Sequence, residues 1–412
     1  MNKTYRQLTI KYAFLQSTFW IGQCIIYSFA AVYLQYKNFN NTQIGIVLSL
    51  SSILSIIMQP AVSAFADKSK KKTVRNIILS IILIVIALAV ILNIWSNSFI
   101  LIASIYVLIN ALQITLIPLL NSIALEFMNN GYPFNFGLAR GTGSVAFAVT
   151  SFFLGHAISR FSAAIVLPLF LISNVLFFLA AYIYRIKGFK MEQKDSVAID
   201  SNGTSAISSK SSSSDSTSEQ PASILGFFIK YKRFTLLLIG VAMVFYSHSL
   251  INTYLINIIE NVGGDSADMG LSLTIAAGLE LPMMAAFTII VRKVKCGKLI
   301  RLSGFFFLLK ALAIWIAPNV MAIHFSQALQ MLSFALFTPA SVYYVNSIIN
   351  EEDRNKGQAM LGVATVGVAG TIANISGGKL LDISGVSNML MLGTIVAFIG
   401  FIVIFFSTDK SK

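Results

Sequence analysis

Long apolar runs are the feature that most restricts how this chain can fold. Runs of about 20 apolar residues recur along its 412 residues, separated by short polar stretches. A helix of about 20 residues crosses the roughly 30 Å hydrocarbon core of a bilayer. Charged residues make up only 11% of the chain, against roughly 25% in soluble domains. The sequence therefore predicts an integral membrane protein that spans the lipid bilayer many times.

The runs predict an all-α protein with twelve transmembrane helices in two sets of six. The first run has no small-residue cleavage site after it, so we expect a retained helix and not a removed signal peptide. Helix ends carry an error of several residues. We expect helices at about 10–34, 42–66, 75–95, 99–127, 135–158 and 163–184, and then at about 234–260, 268–291, 298–317, 320–348, 357–381 and 386–407.

The segment between the two sets has a different composition. Its central tract, SNGTSAISSKSSSSDSTSEQ at 201–220, is rich in serine and poor in apolar residues. Such a tract cannot bury enough surface to fold. We expect an N-terminal six-helix bundle over 1–184, a flexible, disordered linker over 185–232 and a C-terminal six-helix bundle over 233–412.

Basic residues mark the side of the membrane on which each loop lies. DKSKKKTVR after predicted helix 2 and VRKVKCGKLIR after predicted helix 8 are basic, whereas NIWSNS is uncharged and ENVGGDSAD is acidic. The positive-inside rule then places both termini, the linker and the basic loops in the cytoplasm of a bacterial cell, beneath its plasma membrane. This distribution also explains the net charge of +14, so we expect no nucleic-acid partner.

Motifs for enzymatic chemistry are missing from the sequence. No nucleotide-binding loop, HExxH or GxSxG is present, and GLARGTG lacks the strand that a phosphate-binding loop requires. Cys24 and Cys296 lie in different halves, one in a run and one in a basic loop, without metal-ligand spacing. We expect a monomer that is not an enzyme and has no cofactor, metal site or disulfide.

The segment QPAVSAFADKSKKK, residues 59–72, resembles the loop signature of the major facilitator superfamily, G-x-x-x-D-[RK]-x-G-[RK]-[RK]. Ser63 and Lys70 stand where the signature has glycine, while Asp67 and Lys68 match its acidic and basic positions. The resemblance implies a gating motif at the end of predicted helix 2, and a purely topogenic basic loop is the alternative. It also implies two bundles that rock about a central site.

Further segments are similar to the lactose permease and phenylpropionate permease branch, the oligosaccharide:proton symporters and their relatives. They cover most of the chain except the linker, and the segment that opens predicted helix 5 is the most specific. The resemblance implies secondary active transport of a small-molecule solute, with a proton as the coupling ion. The segments are YLQYKNFNNTQIGIVLSLSSILSIIMQP, PFNFGLARGTGSVAFA, LELPMMAAF and GKLIRLSGFFFLLK.

Arg140 is the main candidate for substrate binding. It lies about six residues into predicted helix 5, where an unpaired guanidinium would cost several kcal/mol. The resemblance implies that Arg140 binds substrate hydroxyls and that Phe147, two turns further on, stacks on a sugar. A snorkelling arginine and a lipid-facing phenylalanine are the alternatives.

Other candidates for substrate binding lie in predicted helices 1, 4 and 10. Asn121 stands where lactose permease has its sugar-binding glutamate, which leaves Glu126 as the carboxylate for Arg140, so galactoside recognition is not inherited. In predicted helix 1, Trp20 and Gln23 belong to a polar stripe that would line an aqueous cavity or join helices. Gln330 adds an uncharged hydrogen-bonding group.

Three residues are candidates for proton coupling. Glu280 and Lys310 both fall near mid-depth in adjacent predicted helices, where an acid needs a partner or a proton. The resemblance implies a protonatable Glu280 with Lys310 as its cationic neighbour, and a static ion pair is the alternative. His248 titrates most easily near neutral pH but is equally well read as a packed hydrogen-bonding residue. Gln330 and Ser333 replace the permease's coupling histidine and acid.

These patterns predict proton-coupled uptake of a carbohydrate or similar hydroxylated solute. The same fold also supports efflux of amphipathic compounds by proton antiport, which predicts resistance on expression. A sensor or scaffold that moves no solute is a third reading, favoured by the two missing titratable groups in predicted helix 10. Binding without flux into vesicles would indicate it.

Overall fold

The structure, a computed structural model, describes residues 3–68, 74–95, 98–129, 136–184 and 224–408. Within these ranges nine helices are long and apolar enough to cross a membrane, and a bent pair makes ten. Cys296–Trp315 adds an eleventh crossing. Glu351–Ser407, already one of the nine, turns back at Gly385 (φ 77°) and so crosses twice, which gives the twelfth. The prediction of an all-α protein with twelve transmembrane helices is confirmed.

We call each membrane-crossing segment a span and number the spans along the chain. Span 1 is formed by three pieces, and span 6 by a short 3₁₀ turn and a helix. The bounds are Lys3–Gln23, Cys24–Ser28 and Ala30–Tyr36 for span 1, Asn41–Lys68 for span 2, Val74–Ile94 for span 3, Phe99–Asn129 for span 4, Phe136–Phe161 for span 5, and Ala163–Ile165 with Val166–Ile183 for span 6.

The last six spans follow a short helix, Ile224–Lys230. Spans 7, 10 and 11 are each interrupted, and spans 11 and 12 follow one another directly through a turn at Gly385. The bounds are Lys232–Thr253 and Leu255–Glu260 for span 7, Ser266–Lys293 for span 8, Cys296–Trp315 for span 9, Val320–Ala328, Leu329–Met331 and Phe334–Ile348 for span 10, Glu351–Asp353 for a 3₁₀ turn, Arg354–Gly362 and Val363–Ala369 for the start of span 11, and Gly370–Ser407 for the rest of spans 11 and 12.

Spans 1, 7 and 10 are the most clearly broken of the four interrupted spans, all of which we expected to be continuous. Span 1 contains a π-helical turn at Cys24–Ser28 and bends by 52° beside Phe29. Span 7 is interrupted at Tyr254, and span 10 changes to a 3₁₀ turn at Leu329–Met331. Runs of apolar residues indicate membrane depth but carry no signal for the local change in helical pitch. These breaks therefore became visible only in the structure.

Two placements differ from the sequence-based expectations. Ile224–Lys230, inside the segment expected to be a flexible linker, is helical, because Phe227 is buried and Lys230 Nζ lies 2.8 Å from Asp353 Oδ2. Cys296 is the first residue of a helix and does not lie in a loop. The side chains of Asp67 and Lys68 lie outside the described part of the chain, so their gating role stays a prediction.

The first six and last six spans meet at one end of the molecule. We call the side that holds Lys3 and Thr408 the terminal face and the opposite side the distal face. At the distal face, Asp382 accepts hydrogen bonds from the backbone and side chains of Asn41 and Thr42, at 2.6 to 3.2 Å. The carboxylate of span 11 thus caps the first turn of span 2, where helical N–H groups favour a negative charge.

A second seam at the distal face joins spans 5 and 8 through small residues. Gly155 and Gly270 lie so close that a Cβ on either would approach the opposite backbone within 2.4 Å. Beside them, Ser151 Oγ and Thr274 Oγ1 are 3.2 Å apart. Nearer the surface, the Ser159 hydroxyl donates to the Asp265 carboxylate and thereby lowers the pKa of that carboxyl. The described contacts between the two sets of spans therefore close the distal face.

We expect Gly378→Ala to hold the distal face open, because its Cβ would lie 2.1 Å from the Asn41 backbone oxygen. Overpacking costs roughly 1–3 kcal/mol, enough for about a tenfold shift between closed and open states. The measurement is labelling of a single cysteine at Tyr27, half-exposed inside span 1, by an impermeant maleimide added from the distal side. Gly370→Ala, which meets nothing within 4 Å, is the control. Equal labelling of the two variants would count against the predicted opening.

Candidate functional site

The central part of the molecule, between the two sets of spans, holds most of the candidate residues. Arg140 of span 5 and Glu280 of span 8 face one another across the gap, since a Cβ on the adjacent Gly141 would lie 3.9 Å from Leu281 Cδ2. Both charged side chains are half-buried and interact electrostatically. Arg140 and Glu280 therefore lie on the facing sides of the two sets of spans.

Trp20 is the residue on which the first-half candidates converge. The Arg140 guanidinium lies over its ring, 4.5 Å from the centroid, and the Phe147 ring meets it edge-on at 6.4 Å. Gly143 lies between them in span 5 and has no side chain, because a Cβ there would come within 2.3 Å of Trp20 Cδ1. Two residues of span 5 that are two turns apart, Arg140 and Phe147, thus contact the same indole ring of span 1.

Hydrogen bonds along span 1 hold the Trp20 ring in place. Trp20 Nε1 donates to Gln16 Oε1 at 3.1 Å, and Gln16 Nε2 donates to the Tyr12 hydroxyl at 2.6 Å. Tyr12 in turn donates to the backbone carbonyl of Leu120 in span 4, at 3.2 Å. These residues are four apart, so they share one helix face. The polar stripe predicted in this helix is here a chain of hydrogen bonds that orients the indole.

Gln330 stands between Glu280 and Lys310. Lys310 Nζ donates to Gln330 Oε1 at 2.6 Å, and Gln330 Nε2 donates to Glu280 Oε1 at 3.1 Å. The direct pair that we considered for Glu280 and Lys310 is therefore replaced by a bridge. Gln330, predicted as a substrate-binding residue, is buried and occupied by this bridge. Gln330 lies in the 3₁₀ turn Leu329–Met331, which interrupts span 10.

His248 is buried among aromatic rings of the last six spans. Its ring stacks on Phe334 at 5.2 Å and meets Phe245 and Phe307 edge-on. Asn252 Nδ2 lies 3.0 Å from His248 Nε2, and Nδ1 has no hydrogen-bond partner among the described residues. It is within electrostatic range of Lys310. This setting fits the packed hydrogen-bonding role at least as well as proton coupling.

The other predicted site residues contribute less to the centre. Asn121 in span 4 is half-buried, and Gln23 in span 1 is buried with an amide oxygen that meets no hydrogen-bond donor of the described chain. The side chain of Glu126 lies outside what the structure describes, so its pairing with Arg140 stays a prediction. Among the described side chains, no carboxylate comes within ion-pair distance of Arg140.

The sequence analysis missed a polar cluster between spans 8 and 10. His324 Nδ1 lies 2.9 Å from Ser272 Oγ, and His324 Nε2 lies 3.6 Å from Asp268 Oδ1. Asp268 also completes a capping box with Asp265 at the start of span 8. The tetrad Asp265 to Asp268 before an apolar run was the available signal for this cap.

A groove of about 430 Å³ lies apart from this centre, between spans 2 and 4. Its lining is apolar and includes Ile46, Leu50, Phe99 and Leu108. None of the candidate residues lines it. The groove is therefore separate from the candidate site.

The twelve spans and the buried charged centre between two sets of helices define a membrane transport protein that crosses the bilayer many times. A family model described as MFS_1 like family matches residues 5–406. The chain therefore belongs to this family of the major facilitator superfamily.

Two curated relatives are transporters. The chain is 22% identical to the maltose permease of Geobacillus stearothermophilus over 388 residues, which are 94% of this chain and 91% of that protein. It is 24% identical over 367 residues to the uncharacterized transporter YwbF of Bacillus subtilis (strain 168), covering 89% of this chain and 84% of the relative. The relatives thus agree with the expectation of a transporter and not an enzyme.

Solved transporter structures share the fold. The nucleoside transporter NupG superposes with a TM-score of 0.74 at 13% identity, with 98% of each chain covered. A bacterial homologue of the human lysosomal transporter Spinster, in an inward-facing and unoccupied conformation, has a TM-score of 0.68 at 12% identity, with 99% of this chain and 97% of that chain covered. At these identities the likeness concerns the fold alone.

Proposed function

We propose that this protein takes up a carbohydrate or a similar small hydroxylated solute across a bacterial plasma membrane, together with protons, by alternating access. The observation that carries the proposal is the central constellation in which Arg140 over Trp20 faces the chain Glu280–Gln330–Lys310. The maltose permease relative supports a sugar-like substrate.

An aromatic face beside a cation suits a hydroxylated ring. The indole offers apolar surface to the C–H face of a sugar ring, while the Arg140 fork donates hydrogen bonds to hydroxyls. Phe147 lies at the edge of the same indole. We assign substrate positioning to Trp20, Arg140 and Phe147.

A half-buried carboxylate at mid-depth suits proton uptake. Glu280 is held by one neutral amide hydrogen bond, and a carboxyl group in that place can gain or lose a proton without dismantling a direct ion pair. We assign the coupling proton to Glu280, with Lys310 as the charge that favours its ionised form.

The arrangement of the two sets of spans fits one state of an alternating-access cycle. The seams at Asp382 and at Gly155 close the distal face, and the positive-inside rule places the terminal face in the cytoplasm. In this proposal the structure represents the inward-facing state. Opening of the distal face would require both seams to separate.

The test is a pH measurement in a weakly buffered suspension of energy-depleted cells that express the protein. Sugars, nucleosides and aromatic acids are added one at a time, and cells with the empty vector serve as the control. We expect one class of solute to make the medium alkaline, and a protonophore to abolish the signal. Uptake of a solute without any pH change would exclude proton symport.

A further inference from the structure

Span 8 carries a line of residues, four positions apart, that runs from the distal face to mid-depth. Its members are Asp268, Ser272, Ala276 and Glu280. Residues at this spacing lie on one face of a helix, and the whole line rises by about 18 Å. Asp268 stands in the first turn of the span with 35% of its side chain exposed, whereas Ser272 is fully buried. The line therefore leads from the distal surface to the proposed proton site.

Span 10 presents a matching line of buried polar residues, three positions apart. Its members are His324, Gln327 and Gln330. At the distal end, His324 Nδ1 lies 2.9 Å from Ser272 Oγ, and His324 Nε2 lies 3.6 Å from Asp268 Oδ1. At the deeper end, Gln330 Nε2 donates to Glu280 Oε1 at 3.1 Å. Polar contacts at both ends therefore align the two lines along one interface.

Both ring nitrogens of His324 face oxygen atoms, which is the arrangement that passage of a proton through an imidazole requires. Imidazole is the side chain that takes up and releases protons most readily near neutral pH. When a proton from the distal side binds at Nε2, the proton on Nδ1 can leave towards Ser272, and the ring is neutral again. Asp268 of span 8 is the charged group that faces this ring, and Lys310 of span 9 lies deeper, where it donates to Gln330.

Amide groups separate His324 from Glu280. Gln327 is only 1% exposed, and its Nε2 has no hydrogen-bond acceptor among the described residues. A buried N–H group in this situation is normally satisfied by an ordered water molecule. Amides do not exchange protons as acids or bases near neutral pH, so a proton passes this stretch only on water. Passage beyond His324 therefore depends on water, which lets the carrier close the route and avoid a proton leak.

We propose that the interface of spans 8 and 10 is the distal part of the proton route to Glu280. His324 is the relay, and Gln327 is a positioning residue that holds the connecting water. The inference rests on the proposed function, because it takes Glu280 as the group that binds the coupling proton. A relay determines how fast protons arrive, whereas the pH gradient and the coupling at Glu280 determine how far the solute accumulates.

The test separates the rate of uptake from the final accumulation. Membrane vesicles with the distal face outward receive an inward pH gradient, and the probe is labelled maltose or the solute that the cell measurement selects. We expect His324→Gln to lower the initial uptake rate at least about tenfold, because glutamine is polar but cannot carry a proton. Final accumulation and exchange of labelled for unlabelled probe should equal those of the parent, since neither depends on fast arrival of protons.

His156→Gln is the matched control. His156 is an exposed histidine near the distal end of span 5, and its Nδ1 lies 2.9 Å from the backbone oxygen of Phe152 in the same helix. Its uptake rate should equal that of the parent. An unchanged rate in His324→Gln, or an equal loss of rate and of exchange, would overturn the relay. A parent that moves the probe without protons would instead overturn the proposed function.

Asp268→Asn gives an independent readout that does not require the histidine to be replaced. Asparagine keeps an oxygen for the backbone N–H of Asp265, so the cap of span 8 survives. The lost carboxylate favours a protonated imidazole, so the external pH of half-maximal uptake should fall by at least about half a unit. Half-maximal uptake at the parent's pH would overturn the relay.

Gln327→Leu tests the water link. Leucine is similar in size but offers no hydrogen bond to water, so we expect the initial uptake rate to fall about tenfold while exchange is retained. The external pH of half-maximal uptake should stay at the parent's value, because His324 and Asp268 are unchanged. A full uptake rate in Gln327→Leu would overturn the water link.

Discussion

Glu280→Gln is expected to abolish concentrative uptake while leaving exchange of solute across the membrane. A glutamine keeps the oxygen that accepts the hydrogen bond from Gln330 Nε2, so the local geometry survives, but it cannot bind the coupling proton. With one proton per solute, each unit of pH gradient supplies about 1.4 kcal/mol and sustains about tenfold accumulation. The steady-state ratio of solute inside to outside should therefore fall from about ten to about one.

The measurement is accumulation of labelled solute in vesicles with an imposed gradient of one pH unit, beside exchange in vesicles loaded with unlabelled solute. Glu260→Gln is the matched control, because Glu260 is exposed near the distal face, far from the bridge. Its accumulation should equal that of the parent. Accumulation that survives in Glu280→Gln would remove Glu280 from the coupling mechanism.

Arg140→Lys is expected to lower solute affinity by about tenfold or more despite the retained charge. The guanidinium lies over the Trp20 ring, 4.5 Å from its centroid, and presents several donors in one plane, whereas an ammonium is a compact, strongly hydrated charge. Loss of a desolvated cation–π contact of about 2 kcal/mol accounts for this factor. The loss should appear as weaker binding and as a change in the emission of Trp20, since that ring loses its cationic neighbour.

Arg160→Lys is the matched control for this exchange. Arg160 lies at the distal end of the same span, is exposed, and has its guanidinium 5.7 Å from the Phe161 ring centroid. It shares the residue type, the helix and the kind of contact, but not the central position. Equal affinities in the two variants would mean that Arg140 contributes charge alone, and an unchanged Trp20 emission would contradict the stacked geometry.

The overall architecture was readable from the sequence because it depends on one strong physical requirement. Residues in a bilayer core must be apolar and must satisfy their backbone hydrogen bonds within a helix, so twelve apolar runs predict twelve spans. The rarity of charge in these runs also drew attention to Arg140, Glu280 and Lys310. The loop signature and the segment around Arg140 added the family, which the match over 5–406 then confirmed.

Contacts between distant segments were not readable in the same way. Nothing near Trp20 in the sequence shows that its ring lies between Arg140 and Phe147. The need for a glycine at position 143 is likewise visible only in the structure, where a Cβ would clash with the indole. Gln330 was read as a solute-binding group because its two partners lie 20 and 50 residues away. The distal seam at Asp382 joins residues more than 300 positions apart.

The sequence by itself thus determined the number of spans, their class and the identity of the costly buried charges, since each depends on transfer of single side chains from water into lipid. Only the tertiary structure decided which polar groups meet. The bridge through Gln330, the stacking on Trp20 and the closed distal face depend on how helices pack, and on breaks at Phe29, Tyr254 and Leu329–Met331. Packing is set by the shapes of many side chains at once, so no single segment encodes it.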